Sequence, residues 1–465
     1  MLFSSFSFVF AFLPLVLLLY YMRQGTGWRN NVLLAASLLF YAWGEPRYLL
    51  ILLISVGITW LAALAVNHWR RYALLCITLA LLLDLGILVY FKYTNFILEN
   101  INALFTHQAD PLKVVMPIGI SFYTFQAISY LIDVYRRDAP VQRNFYKLLL
   151  YITLFPQLVA GPIVKYYDIC DQIESRQETL RKFTCGARRF VIGLSKKMLI
   201  ANTMGEVADK VFTLPAEQVD CLASWVGAVA YSFQIYFDFS GYSDMAIGLC
   251  LMFGFRLPEN FNYPYISRSI TEFWRRWHMS LSTWFKEYLY IPLGGNRVSK
   301  GRNLFNLFVV FLTTGIWHGA SWCFVIWGLW HGLFIILEKL TGWHKKQGHW
   351  SLRVAQHGLL LLVVLVGWVF FRAETLGSAL SYLQNMFGMV THRADAVGVI
   401  HTMNHFTWMT MLLAAVLSMP LARRLAYADG RRTSALSNVW CVVLFVCTWA
   451  TMAASTYNPF IYFRF

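Results

Sequence analysis

Gly315-Ile316-Trp317-His318-Gly319 is followed thirteen residues later by Gly328-Leu329-Trp330-His331-Gly332, and each histidine stands inside a stretch that is otherwise almost wholly apolar. At membrane depth an ionisable side chain costs free energy unless a partner, a cavity or a reaction needs it, so such a residue marks a functional site by default. The flanking glycines remove side-chain bulk and let backbone or ligand approach the imidazole. Thirteen residues at about 100° each come to some 220° modulo a turn, so on one straight helix the two rings would point apart. That spacing argues against an i, i+4 two-histidine metal clip. The competing reading makes both of them packing histidines bonded to helix carbonyls, with the Trp-Gly pairs serving close helix contact.

The apolar setting extends over the whole chain. Hydrophobic residues make up 58%, aromatic residues 17% and charged residues 13%, where soluble domains carry roughly a quarter charged. The composition is that of an integral membrane protein, all-α, with about ten to twelve spans of the 17–25 residues that a bilayer core requires. The first apolar run, Phe6 to Tyr21, has neither a basic leader nor a small-residue cleavage pattern, so it reads as a retained span with Met1 kept. Thirty-nine Lys and Arg against 23 acidic residues give a net charge of +16. In a membrane protein the positive-inside rule accounts for most of it, and no nucleic-acid partner is expected. Eight cysteines are scattered without a CxxC pair. They read as small buried hydrophobes, not as a disulfide framework or a zinc site, and no metal is expected.

Apolar runs at about 6–21, 32–43, 48–66 and 73–91 are separated by short polar breaks. Placing the basic breaks at 23–29 and 68–71 in the cytosol puts Met1 and the 44–47 turn outside. Asp84 in the fourth run is expected to bond to a neighbouring helix. Residues 92–113 then read as an outside loop, and Val114 to Ile132 as the return. Leu148 to Val164 is interrupted by Pro156 and Pro162 and flanked by Lys147 and Lys165, which predicts a re-entrant segment buried in protein. Residues 165–200 are basic and fit interfacial helices touching anionic lipid headgroups.

Further on, Asp238 and Asp244 sit among aromatic residues, without the second glycine of a serine-hydrolase elbow. They read as internal hydrogen-bond or ion-pair partners, an arginine of the next element being one candidate. Ser269-Ile270-Thr271-Glu272 has the form of a capping box and predicts a helix start. Beyond it, Phe273, Trp277, Leu281 and Trp284 form one apolar stripe, and Trp274, His278, Leu281 and Phe285 form another. His278 is therefore expected to face protein or lipid. Seven basic and two acidic residues lie between 268 and 302, a band suited to the cytosolic interface or to a polyphosphate donor. Pro292 to Arg297 reads as a tight turn. The last spans are expected at 405–421 and 438–455, His392, His401 and His405 in a loop before them, and the tail Tyr457 to Phe465 as an aromatic interfacial anchor.

Thr271 to Trp284, followed by Tyr288-Leu289-Tyr290-Ile291-Pro292-Leu293-Gly294-Gly295-Asn296-Arg297, resembles the membrane-bound O-acyltransferase family, most nearly its bacterial alginate O-acetylase branch. Pro117 to Phe122, Tyr130 to Tyr135, Ala160-Gly161-Pro162, Tyr236 to Gly248 and Gly315 to Gly319 match as well. The resemblance implies a single transmembrane domain over 1–465, with a family-like core at about 1–375 and C-terminal spans at about 376–465. It implies acyl transfer from a thioester donor to a hydroxyl, carried by His318, with His278 forty positions upstream as the second polar residue. In this branch the donor is cytosolic acetyl-CoA, no bound cofactor is needed, and the acetyl group reaches a periplasmic partner acetylase that modifies an exopolysaccharide. Location in the bacterial inner membrane, in contact with its lipids, follows.

Chemistry is compatible with that assignment. A neutral imidazole can accept a hydroxyl proton as general base, and burial keeps it neutral. His318 is the expected base. His278 is open to three roles: orienting His318, stabilising the oxyanion or binding the acceptor. His331, Trp317, Asp238 and Asp244 are candidate supporting or acceptor-binding positions, and Arg275 and Arg276 candidate donor-binding ones. Alternatives are D-alanyl transfer to teichoic acid from a carrier-protein thioester, a non-enzymatic exporter of an acylated or lipid-linked molecule, and a scaffold that recruits a soluble acetylase.

Overall fold

The computed structural model describes residues 1–465 except 106–108, 344–348, 392–397, 399–402, 423–434, 456 and 462–465. Its regular elements are helices, as the composition predicts. Among the described residues, four are long and apolar enough to cross a membrane, Pro46–His68, Arg70–Asn102, Trp322–Thr341 and Trp350–Arg372. Phe8–Met22, His405–Leu417 and Asn438–Ala454 are shorter apolar helices. The chain divides into two compact units, Met1–Phe190 with Ser243–Pro258, and Val191–Tyr242 with Glu259–Phe465.

The first unit contains α1 (Leu13–Met22), α2 (Thr26–Gly44), α3 (Leu49–His68), α4 (Ala73–Asn102), α5 (Ile120–Arg136), α6 (Phe145–Thr153), α7 (Phe155–Leu158) and α8 (Tyr166–Glu174). α4 runs to Asn102, where an outside loop was expected from residue 92. No helix breaker interrupts Lys92 to Asn102, and Lys92 Nζ donates to Ser121 Oγ at 3.0 Å, so a neighbouring helix satisfies the charge that read as a boundary. Asp84 accepts from Ser55 Oγ at 2.8 Å and Thr59 Oγ1 at 3.3 Å on α3, the inter-helix bonding expected of it. α6 has nine residues, a rise of about 13 Å, less than half a bilayer core, and Leu148 to Val164 is buried throughout. That is the geometry of a re-entrant element. α9 (Leu180–Ser195) leaves this unit after Phe190.

The second unit holds α10 (Asn202–Phe212), the first part of α11 (Cys221–Met252), α12 (Ile270–Trp274), α13 (Met279–Phe285), α14 (Lys300–His318), α15 (Trp322–Thr341), α16 (Trp350–Arg372), α17 (Leu376–Met386), α18 (His405–Leu417) and α19 (Ala435–Ala454). Of the three histidines expected in a loop, His392 and His401 lie outside the described residues and His405 opens α18. α14 and α15 form a hairpin whose close contact is made by the glycines of the repeat. A Cβ on Gly315 would clash with the Phe324 carbonyl oxygen and lie 3.1 Å from Gly328 Cα, and one on Gly328 would lie 2.9 Å from Gly315 Cα. Replacing Gly328 with valine is expected to force the helices apart and destabilise the protein by about 1–3 kcal/mol, read as a lower thermal midpoint in detergent. An unchanged midpoint would show that the hairpin tolerates wider spacing.

Asp238 and Asp244 both find cationic partners that precede them in sequence. In the first unit Asp244 Oδ1 accepts from Arg189 Nε at 3.0 Å and Nη2 at 2.9 Å. In the second, Asp238 pairs with Lys197 at 2.9 Å, both nearly inaccessible. Lys197 lies on a π-helical bulge, Lys196–Ala201, which turns a basic residue of a predicted interfacial stretch inward. The C-terminal segment completes this cluster. Ile461 N–H donates to Asp238 Oδ2 at 2.9 Å, Lys197 to the Pro459 carbonyl, and Tyr457 Oη to Asp209 Oδ2 at 2.6 Å. Residues 457–461 are thus tied into the unit instead of forming a surface anchor, because their backbone groups bond to Asn202, Lys197 and Asp238 inside it, while 462–465 of the predicted anchor lie outside the described residues.

Candidate active site

The site grows from a break in a helix. Ser269 caps α12 as predicted, its side chain accepting from Glu272 N–H at 3.0 Å, but the Glu272 carboxylate takes the Arg268 N–H at 3.0 Å, so the reciprocal half of the box is shifted by one residue. The continuous amphipathic helix that the apolar stripes predict does not form. α12 ends at Trp274 because the segment at 260–262 intercepts the chain: Asn262 N–H donates to Arg276 O, and Met279 N–H to Asn260 O, each at 2.9 Å. His278 then adopts a left-handed conformation with φ 44° and α13 starts after it. For a non-glycine residue this costs about 1–3 kcal/mol and needs surrounding structure to hold it.

His278 is fully buried, as expected of a protein-facing residue. Its Nδ1 lies 3.1 Å from Asn260 Oδ1. That oxygen also receives the Ser280 N–H at 3.2 Å and Ser280 Oγ at 2.9 Å. A backbone N–H can only donate, so the Asn260 atom is an acceptor and His278 Nδ1 must carry the proton. Nε2 is left as a lone pair, buried and without a protein partner. Burial lowers the imidazole pKa from 6.5 to about 3. The unfolded chain therefore binds the proton first, and His278 withdraws stability as pH falls from 6.5 toward about 3. In this state Nε2 accepts a hydrogen bond or a proton, but cannot donate one to an oxyanion.

His318 is the last residue of α14, buried among Trp317, Trp327 and Phe371 with ring centroids at 4.9, 4.9 and 5.1 Å. Trp317 bridges the two histidines, its ring 6.4 Å from His278. His331 sits one helix on, fully buried, its ring edge-on to Trp274 and Trp327 at 5.2 Å each. It is not bonded to a helix carbonyl, since neither ring nitrogen has a protein partner. It fits because α16 carries Gly367, where a Cβ would fall 2.6 Å from His331 Nε2.

Two shallower predictions separate here. Arg275 lines a cavity of about 440 Å³ together with Trp274, Lys286, Tyr290 and Thr314. Arg276 does not: it pairs with Glu272 at 2.9 Å and donates to the Asn262 carbonyl at 3.2 Å. Replacing Arg276 with glutamine is accordingly expected to leave donor KM within about twofold, whereas Arg275→Gln raises it about fivefold or more, the scale of one hydrogen-bonded charge. Initial rates against donor concentration decide, and equal KM values in the two variants would remove Arg275 from donor binding.

Residues 137–344 match the profile of MBOAT, the membrane-bound O-acyltransferase family. The probable alginate O-acetylase of Pseudomonas syringae pv. tomato is 48% identical over 81% of this chain and 73% of its own length. That of Pseudomonas putida is 41% identical over the whole of both chains. The chain belongs to the membrane-bound O-acyltransferase family. It is a multi-pass membrane protein and an O-acyltransferase. The peptidoglycan O-acetyltransferase of Helicobacter pylori is also similar, 38% identical over 84% of this chain and 80% of the relative. Sequence reasoning on this acyltransferase missed Asn260, Gly367 and Lys197. The run Pro258-Glu259-Asn260-Phe261-Asn262-Tyr263-Pro264 signals irregular backbone, which was the available hint for the first.

Proposed function

We propose that this O-acyltransferase takes an acetyl group from cytosolic acetyl-CoA and delivers it across the bacterial inner membrane for O-acetylation of an exopolysaccharide such as alginate, through a periplasmic acetylase partner. The observation that supports it most is the lone pair of His278 Nε2, buried and unpartnered, beside the Trp317-His318 corner. His318 acts as general base. His278 accepts a hydrogen bond from a second hydroxyl of the acceptor and so orients the attacking one toward His318, the role that its proton position favours over oxyanion stabilisation. The hydroxyl oxygen attacks the thioester carbonyl carbon while its proton passes to His318. The C–S bond then breaks, the thiolate recovers the proton, and free CoA and an acetyl ester remain. Arg275 and Lys286 at the mouth of their cavity suit the phosphates of such a donor. The O-acetylase names of the relatives favour acetyl over D-alanyl transfer.

The test uses purified protein in liposomes, acetyl-CoA labelled separately in the acetyl and the nucleotide part on one side, and a glycan with the partner acetylase on the other. Acetyl label on the glycan with nucleotide label left behind is the expected result. Both labels crossing together would make the protein an exporter, and transfer only from a D-alanyl carrier thioester would replace the donor.

A further inference from the structure

A second cavity of the same unit, about 500 Å³, lies away from the histidines and belongs to none of the chemistry above. Its walls come from α11, the turn Pro264–Ile266, α16 and α18. Two wall hydroxyls are turned back into their own helices, Ser232 Oγ donating to Ala228 O at 3.0 Å and Ser418 Oγ to Ala414 O at 2.8 Å. What remains toward the cavity is almost wholly apolar. On α16 the lining residues Arg353, His357 and Leu361 recur every four positions, so they form one stripe that is cationic at the helix start and apolar further along. His357 Nδ1–H donates to Ser267 O at 2.8 Å, which fixes the neighbouring Arg268 at that same end. Arg268 and Arg353 are both exposed. Nearby Glu272 is engaged by Arg276 and by the Arg268 backbone N–H, not by either side chain.

We propose that this groove binds an anionic phospholipid, with an acyl chain along the apolar walls and the phosphate between the guanidinium groups of Arg268 and Arg353. The volume falls in the range of ~300–1,000 Å³ of pockets that bury small ligands. Planar guanidinium forks match phosphate oxygens in paired hydrogen bonds, which a zwitterionic headgroup partly neutralises by its own ammonium. One wall, Trp350–Arg372, is apolar and long enough to span the bilayer, so the ligand can enter from the membrane itself.

Protein in detergent is titrated with dioleoylphosphatidylglycerol, dioleoylphosphatidylcholine or inorganic phosphate, and bound lipid is read by native mass spectrometry beside the thermal midpoint. The wild type is expected to retain phosphatidylglycerol and gain in midpoint, with phosphatidylcholine weaker and phosphate without effect. The doubly substituted Arg268→Gln, Arg353→Gln protein, changed only at exposed positions, is expected to bind phosphatidylglycerol about tenfold more weakly. Leu361→Trp, which fills the groove and leaves both charges, should lose the lipid as well. Equal retention of both lipids, a shift reproduced by phosphate, or unchanged binding in either variant would overturn the proposal.

Discussion

Replacing His318 with alanine is expected to lower acetyl transfer by about 10²–10⁴-fold, the range for loss of a positioned general base. The fold should survive, because the ring lies at the end of α14 against aromatic neighbours that the smaller side chain leaves in place. His278→Ala should fall in the same range, and the double variant should be little worse than either, since residues acting as one unit are not additive. Asn260 separates orientation from mere packing. Asn260→Asp keeps an acceptor for His278 Nδ1 and adds a negative charge, which favours the imidazolium; the acid limb of the rate profile should move to higher pH. Asn260→Leu should cost most of the rate. Initial rates from about pH 3 to 9 on folded, monodisperse protein provide the check, because the wild-type limb set by His278 lies at about 3. Wild-type rates in the His318 variant would remove that residue from catalysis, and an unmoved acid limb in Asn260→Asp would disconnect Asn260 from His278.

Lys197→Met is expected to destabilise the second unit by about 3–5 kcal/mol, because it leaves the Asp238 carboxylate buried without its cation. The effect should reach the C-terminal segment, since Lys197 also holds the Pro459 carbonyl and Asp238 holds the Ile461 N–H. Lys197→Met with Asp238→Leu removes both charges and should recover much of the loss, as buried pairs replaced by apolar residues often do. Thermal midpoints and limited proteolysis near residue 457 supply the readings. A single variant as stable as the wild type would mean that Asp238 has another partner.

The sequence by itself determined the membrane class, the helical fold, the start of α12 at Ile270 and the burial of both histidines of the Trp-His-Gly repeats. Each rests on local or additive physics: hydropathy summed over a span, a cap within one turn, the cost of a histidine among apolar neighbours. Only the tertiary structure decided the rest. The stripe through Phe273, Trp277 and Leu281 predicts one helix, and the chain breaks there because the backbone at 260–262 competes for the same hydrogen-bonding groups. The proton position on His278 is set eighteen residues away by Asn260, and the seat of His331 by Gly367 on another helix. Lys197 looks interfacial by composition and is buried, because a bulge aims it at Asp238. Such pairings depend on which groups fold into one small volume, and no periodicity along the chain encodes that.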